Sequence, residues 1–400
     1  MVIKTKTRAA VGLYVFGLAV IICWSCLPAT GQVLDLPPAF QGSPGSSPFL
    51  TRKGIGSLGD ANAYYTLIDP NSLRGTLANW WAVNGFGPDG SGGVRTAYTN
   101  FNDLGFGRDM HCIENPNLGN VACYVTNYSK KSAVDLRFGV QRLVLQDPEN
   151  ADLAWAASRT DFLATVCMEY SPVEGAGPTR IVKFYVYAPD PKNPDIGASI
   201  RAPGANLDDS QASDAFKFVP NLCLVCHGGN QFATGADRNA SFIAFDLETF
   251  RYSRAPGASQ AEQELAFKAQ NLMVRDTNPA TATNDLIVGW YHIGSGEINV
   301  QDPTYVPSGW TGQESLYNAV VKAGCRGCHA QQRFVGDPSP NPINWISYTQ
   351  FVDNRIQIQN LVCGPLTKQM PHAYVTYLNL WRIGRPGPNE LSQFLGNACQ

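Results

Sequence analysis

Cys223-Leu-Val-Cys226-His227 and Cys325-Arg-Gly-Cys328-His329 are the two stretches on which the reading of this 400-residue chain turns. Each is a C-x-x-C-H, the attachment sequence of a c-type haem. The spacing has a mechanical reason. Two thiols three positions apart can each form a thioether with one vinyl group of the same porphyrin, and the adjoining histidine is held under the iron as its proximal ligand. The chain has 11 Cys and 5 His, a composition that yields about 0.004 such matches by chance. Two matches, 102 positions apart (223 to 325), therefore point to two covalently attached c-type haems with their iron. A thiol redox C-x-x-C followed by an incidental histidine is the competing reading. It expects one motif inside a strand–helix unit, not two far apart.

The N-terminus agrees with this chemistry. Lys4, Lys6 and Arg8 form a positive segment, and Ala9 to Ile22 is an apolar run without a charge. The small residues Ala29 and Gly31 then precede Gln32, so residues 1–31 read as a secretory signal peptide. Left uncleaved, the stretch from Ala9 to Pro28 is nearly long enough to span a bilayer and would anchor the chain in a membrane. A lipidated Cys26 is a third use of the segment, which Cys23 and Trp24 upstream fit poorly. Export to a periplasm or cell surface suits covalent haem attachment and lasting disulfides. A net charge of −2 with 16% charged residues argues against a nucleic-acid partner.

Outward from the motifs the chain divides by composition, and its length beyond residue 31 suits two or three domains. Residues 32–50, rich in Pro, Gly and Ser, read as a flexible linker. Residues 51–215 read as a β-rich α+β accessory domain. Ala122 to Thr126 and Arg180 to Tyr187 are β-branched and aromatic, with turn residues on both sides. Helices are expected over Arg74 to Val83, ending at Asn84-Gly85, and over Ala151 to Ala164. The Pro/Gly/Asp-rich stretch from Ala188 to Ser213 marks a boundary. Beyond it the pattern turns helical, at Gln260 to Arg275, Ala280 to Trp290, Gln313 to Ala323 and Glu390 to Leu395. The fold class expected is thus multidomain: a β-rich α+β domain, then a mostly α-helical dihaem region of two modules, 216–310 and 311–400.

The sixth ligand of the first haem stays open on the residues alone. Pro220 argues against a helix running into Cys223, and Gly228-Gly229 turns the chain just after His227. Met273 lies on an apolar helical face and His292 at a helix end, and both are candidates. His111 could also reach in, and an open position is a further alternative. Of the remaining cysteines, Cys112 and Cys123 flank the turn-rich Asn115 to Asn120 and are expected to pair. Cys363 with Cys399 is a plausible second disulfide, which leaves Cys167 as a buried thiol.

The segment 311–400 resembles a class I cytochrome c, in which an amphipathic helix precedes the C-x-x-C-H, a methionine loop follows, and a terminal helix packs across the first. That resemblance implies His329 and Met370, 41 positions apart, as the ligands of the second haem, with His372 of Met370-Pro371-His372 as the competitor. Thioether ligation raises a haem's reduction potential. The whole chain is similar to bacterial dihaem proteins grouped by their cytochrome c domains, through Asp103 to His111, Asn221 to Gly229, Gly289 to Tyr291, Cys325 to His329 and Met370 to Ala373. The resemblance implies haem binding, electron transfer and a redox partner protein. Dihaem cytochrome c peroxidases are the nearest enzyme family by haem count, but their first motif lies near the mature N-terminus. A peroxidase or small-molecule dehydrogenase acting at the first haem is the alternative function.

Overall fold

Antiparallel strands build the middle of the molecule. The structure, a computed structural model, describes residues 49–100, 103–115, 119–128, 162–206, 216–253, 256–332, 343–364, 369–381 and 384–399. The expected signal peptide, nearly all of the expected linker and residues 151–161 of an expected helix lie outside them. Among the described residues, strands β1 (Val94–Asn100), β2 (Gly107–Asn115), β3 (Asn120–Tyr128), β4 (Phe162–Pro172), β5 (Arg180–Ala188) and β6 (Ile200–Ala202) pair in sequence. The short β7 (Gly204–Ala205) and β8 (Lys217–Phe218) pair with each other, and β9 (Phe250–Arg251) joins the edge of β1. The resulting seven-stranded order is β6-β5-β4-β3-β2-β1-β9, with antiparallel neighbours. With the helices that follow, the fold is mixed α+β.

The two strands expected from sequence are the middle of β3 and nearly the whole of β5. Both are buried along almost their whole length, because helices cover each face of the sheet. This is why they read as apolar runs and not as an alternation. The helix expected through Ala164 is corrected at its end, since Phe162 to Ala164 open β4. There Phe162 pairs with Tyr128 and Ala164 with Asn127, and cross-strand pairing overrides local helix propensity. The disulfide Cys112–Cys123 joins opposed residues of β2 and β3. Cys167 is a buried free thiol in β4.

On one face lie α1 (Leu58–Ile68) and α2 (Leu77–Asn84). Their starts are set by Ser57 and Thr76, whose hydroxyls accept from the Asp60 and Asn79 amides. The cap at Thr76 explains why α2 begins three residues later than its sequence pattern suggested. Tyr65 stacks on Tyr185 at 6.0 Å, and Trp81 and Phe86 pack on Tyr124 at 5.5 and 5.1 Å. Beneath them Glu169 is fully buried. Its carboxylate accepts from Lys183 Nζ (2.7 Å), from Arg74 through Nε and Nη2 (both 3.1 Å), and from Asn84 Nδ2 (2.9 Å). Burial alone would raise its pKa, but the Lys183 ammonium and Arg74 guanidinium prevail and lower it from 4.5 to about 2. A folded pKa below the unfolded one stabilises the fold above pH 4.5, and that contribution is lost as pH falls from 4.5 towards 2. Its size is about 3 kcal/mol. Denaturant midpoints measured between about pH 5 and pH 2 should fall steeply in the wild type. Glu169→Gln, already destabilised because the buried Lys183 ammonium loses its carboxylate while Arg74 keeps Asp69 and Glu174, should show a flatter dependence.

The other face meets α3 (Asn221–His227) and α4 (Gln260–Asp276), the latter started by a reciprocal Ser259–Glu262 cap. Phe184 of β5 lies 5.3 Å from the His227 ring, and Tyr98 of β1 lies 5.6 Å from Phe267 of α4. An apolar core therefore runs from Tyr64 through the strands to Trp290 and Ala330.

Further along come α5 (Thr281–Trp290) and α6 (314–329). The latter is α-helical at Glu314–Leu316, π-helical over Tyr317–Cys325 and α-helical again at Arg326–His329. Then follow α7 (Tyr348–Asp353), helical turns at Arg355–Ile358 and Gln359–Cys363, α8 (Tyr374–Trp381) and α9 (Gly387–Leu395). Trp310, Tyr317, Val321, Phe351, Trp381 and Leu391 form a second core. Gly387 lets α9 cross α6 closely, since a Cβ there would stand 3.0 Å from the Ala319 carbonyl and 2.9 Å from Leu380. The disulfide Cys363–Cys399 brackets α8 and α9, a 36-residue span whose closure is worth about 4 kcal/mol in the chain-entropy treatment. Phe49 and Leu50, the end of the expected linker, are buried instead, and the Leu50 amide donates to the His372 carbonyl at 2.9 Å.

Candidate cofactor site

No helix runs through Pro220 into the motif: Lys217–Phe218 before it is strand, and α3 begins directly after it at Asn221. Pro220 has no amide hydrogen to leave unpaired at a helix start, and its carbonyl accepts from the Cys223 and Leu224 amides at 2.9 and 3.0 Å. The helix that follows is short enough to hold Cys223, Cys226 and His227 in one rigid piece. Gly228 then turns the chain at φ 71°, where a Cβ would lie 2.6 Å from the Gln331 carbonyl.

Both motif histidines are oriented by the same device. His227 Nδ1 lies 3.0 Å from the Ser241 carbonyl, and His329 Nδ1 lies 2.6 Å from the Ile343 carbonyl. In each case the acceptor is 14 residues downstream. A carbonyl only accepts, so Nδ1 carries the hydrogen and Nε2 is the nitrogen left to ligate a metal. Burial lowers the His227 pKa to about 4, so its imidazole is neutral at neutral pH, as a metal ligand must be.

Cys223, Cys226, Cys325 and Cys328 stand outside both disulfides. Burial pushes the Cys223 and Cys325 thiols up to about 12, so both are protonated at neutral pH. The second cysteines of the two motifs meet, with Cys226 Sγ 3.6 Å from Cys328 Sγ.

Two apolar cavities open on these residues. The first, about 200 Å³, lies between α3 and the sheet. Cys223, Cys226 and His227 line its helix side, and Met110, Val125, Val166 and Met168 its sheet side. Arg108, Asp103 and Asn127 also line it, with Arg108 Nη2 3.2 Å from Asp103 Oδ2. Arg108 Nε, Asp103 Oδ1 and Asn127 Oδ1 are buried with no hydrogen-bond partner, a costly state unless a guest supplies one. The second cavity, about 380 Å³, is lined by Cys325, Cys328, His329, Trp345, Met370 and His372, with Arg52 and Lys53 at it as well. His372 Nδ1 is likewise buried and unpartnered. Burial, with Arg52 and Lys217 nearby, lowers its pKa to about 3.

The expected ligands divide accordingly. Met370 and His372 share a cavity with His329. Met273 and His292 do not share one with His227. Met273 packs from α4 against the core, the ordinary use of methionine on an apolar helical face. His292 is 41% exposed at its side chain, with Nε2 3.1 Å from Asp302 Oδ2. His111 stacks on Tyr124 at 4.6 Å and approaches Asp109 Oδ1 at 3.0 Å, on the face that α2 covers. Its neighbours Arg108 and Met110 are the ones that reach the first cavity. Successive strand residues point to opposite faces, so within Gly107 to His111 it is Arg108 and Met110, not His111, that line the cavity.

The two donor sets, two cysteines and a carbonyl-oriented histidine on an apolar cavity, fit a covalently held haem. Arg108 Nε, a donor, could serve a haem propionate, and the acceptors Asp103 Oδ1 and Asn127 Oδ1 could take a hydrogen bond from a polar guest. Among the described residues no group of three or more His, Cys, Asp or Glu is placed to hold a metal ion directly, and no helix is long and apolar enough to cross a membrane. Comparisons with protein-family models, with curated proteins and with solved structures each find no match for the chain.

Proposed function

We propose that the chain is an exported dihaem c-type cytochrome that passes electrons between its haems and a redox partner protein. The carrying observation is the repeated donor set: in each motif the histidine is turned by a downstream carbonyl so that Nε2 is the ligating nitrogen. Bound haem supplies a one-electron iron couple in each cavity. Cys223 and Cys226 hold the first haem and His227 ligates it; Cys325, Cys328 and His329 do the same for the second. Met370 is the sixth ligand of the second haem, on the same cavity as His329, and its thioether raises the potential there. For the first haem, Met110 and Met168 on the sheet side of its cavity would reach the sixth position, whereas Met273 and His292 do not line that cavity. The apolar walls exclude water, which favours fast electron exchange because little solvent has to reorganise.

One observation favours the enzyme alternative. Arg108 and Asn127 bring unpartnered polar atoms to the first cavity, where they could hold a small polar substrate if the sixth position were open. A redox titration followed spectroscopically separates the readings. The wild type should be six-coordinate and low-spin at both irons. Met370→Ala should lose the methionine–iron charge-transfer band, lower one midpoint and let one haem bind carbon monoxide. Among Met110→Ala and Met168→Ala, one should do the same for the other haem. An unaltered spectrum in Met370→Ala contradicts its ligand role. Carbon monoxide binding and peroxide turnover by the wild type would favour the enzyme.

A further inference from the structure

We infer that the two haems form one electronically coupled pair, joined where the sulfurs of Cys226 and Cys328 touch. This rests on the dihaem reading and adds to it a statement about how the two sites act together. The 3.6 Å between Cys226 Sγ and Cys328 Sγ is van der Waals contact for two sulfur atoms. Each is the second cysteine of its motif, so each would be bonded to a vinyl-derived carbon of a different haem. Two conjugated rings are then linked through two thioethers in contact.

The contact is held by a side-chain amide, a close backbone approach and a buried ion pair that join the two motifs. Gln332 Nε2, just beyond the second motif, donates to the Val225 carbonyl inside the first at 3.1 Å and to the Cys328 carbonyl at 3.2 Å. Gly228, just after the first motif, lies against the Gln331 carbonyl so closely that a side chain would collide at 2.6 Å. Arg326, within the second motif, makes a two-pronged pair with Asp246 at 2.7 and 2.8 Å, and Asp246 lines the first cavity. The two cavities share Cys226, Cys325 and Cys328 in their walls. Two consequences follow. Electron exchange between the haems is fast relative to exchange with a partner, and the charge state of one iron changes the potential of the other across a poorly screening interior.

The test uses the full haem-loaded chain. Circular dichroism in the Soret region should give a two-signed couplet in the wild type, and neither Cys325→Ser/Cys328→Ser nor Cys223→Ser/Cys226→Ser should show it. The midpoint of the haem kept in each variant should differ from its wild-type value by about tenfold in equilibrium constant, about 59 mV for a one-electron couple. Gly228→Ala keeps all six attachment residues, and it should weaken the couplet by pushing the motifs apart. A wild-type spectrum equal to the sum of the two single-haem variants, with unshifted midpoints, overturns the inference. A count of two haems without a couplet leaves the dihaem reading standing and removes only the coupling. A count of zero removes both.

Discussion

Arg326→Met is expected to destabilise the chain by about 3–5 kcal/mol, the cost of breaking a buried ion pair by removing one partner. Arg326 and Asp246 are 3% and 5% exposed, and the guanidinium meets both carboxylate oxygens. It also lies over the Trp290 and Tyr317 rings at 5.3 and 5.8 Å, so water has little access to relieve a lone Asp246. Arg326→Lys should lose much of this as well, because an ammonium cannot reproduce the planar fork. Arg326→Met combined with Asp246→Leu should recover most of the stability, since an apolar pair of similar volume removes the uncompensated charge. Urea denaturation of the four proteins is the measurement. A loss under about 1 kcal/mol in the single variant, the size of an exposed pair, would mean that the pair is not buried. Because the pair ties the second motif to a wall of the first cavity, the weakened Soret couplet should follow the same ranking.

The second large effect is on cofactor content. Cys325→Ser/Cys328→Ser should reduce covalent haem from two to one per chain, and Cys223→Ser/Cys226→Ser should do the same while keeping the other haem. A serine hydroxyl does not form the thioether, and a histidine alone leaves haem exchangeable. Haem-stained denaturing gels with absorbance quantification check this directly. Two covalent haems surviving in either double variant would show that attachment does not use these cysteines.

Much of the site is legible in the sequence because its chemistry is local. The cysteines and histidine of each motif lie within five residues, so spacing alone identifies them. Met370 is similarly accessible from its position after His329. The rest depends on pairings that sequence order hides. The wall facing His227 is made by β2, β3 and β4, more than fifty positions upstream, so Met110 and Met168 carry no local sign of their role. The choice between Met110 and His111 turns on which face of β2 meets the cavity, and a strand buried on both faces gives no alternation to decide it. Met273 lies on an apolar helical face, which reads the same way in sequence whether it packs against protein or cofactor. The contact of Cys226 with Cys328 arises from the packing of α3 against the end of α6, which no spacing along the chain encodes. The end of the helix expected through Ala164, Phe162 to Ala164, is strand for a related reason, since β4 takes its form from pairing with β3 and β5.

The most direct measurement is the haem content of the full chain produced in a cell that attaches c-type haem. A pyridine haemochrome assay after acid–acetone extraction, together with the intact mass, should give two haems retained covalently per chain. Haem that is absent, or that the solvent removes, would contradict the assignment of Cys223 to His227 and Cys325 to His329 as attachment sites.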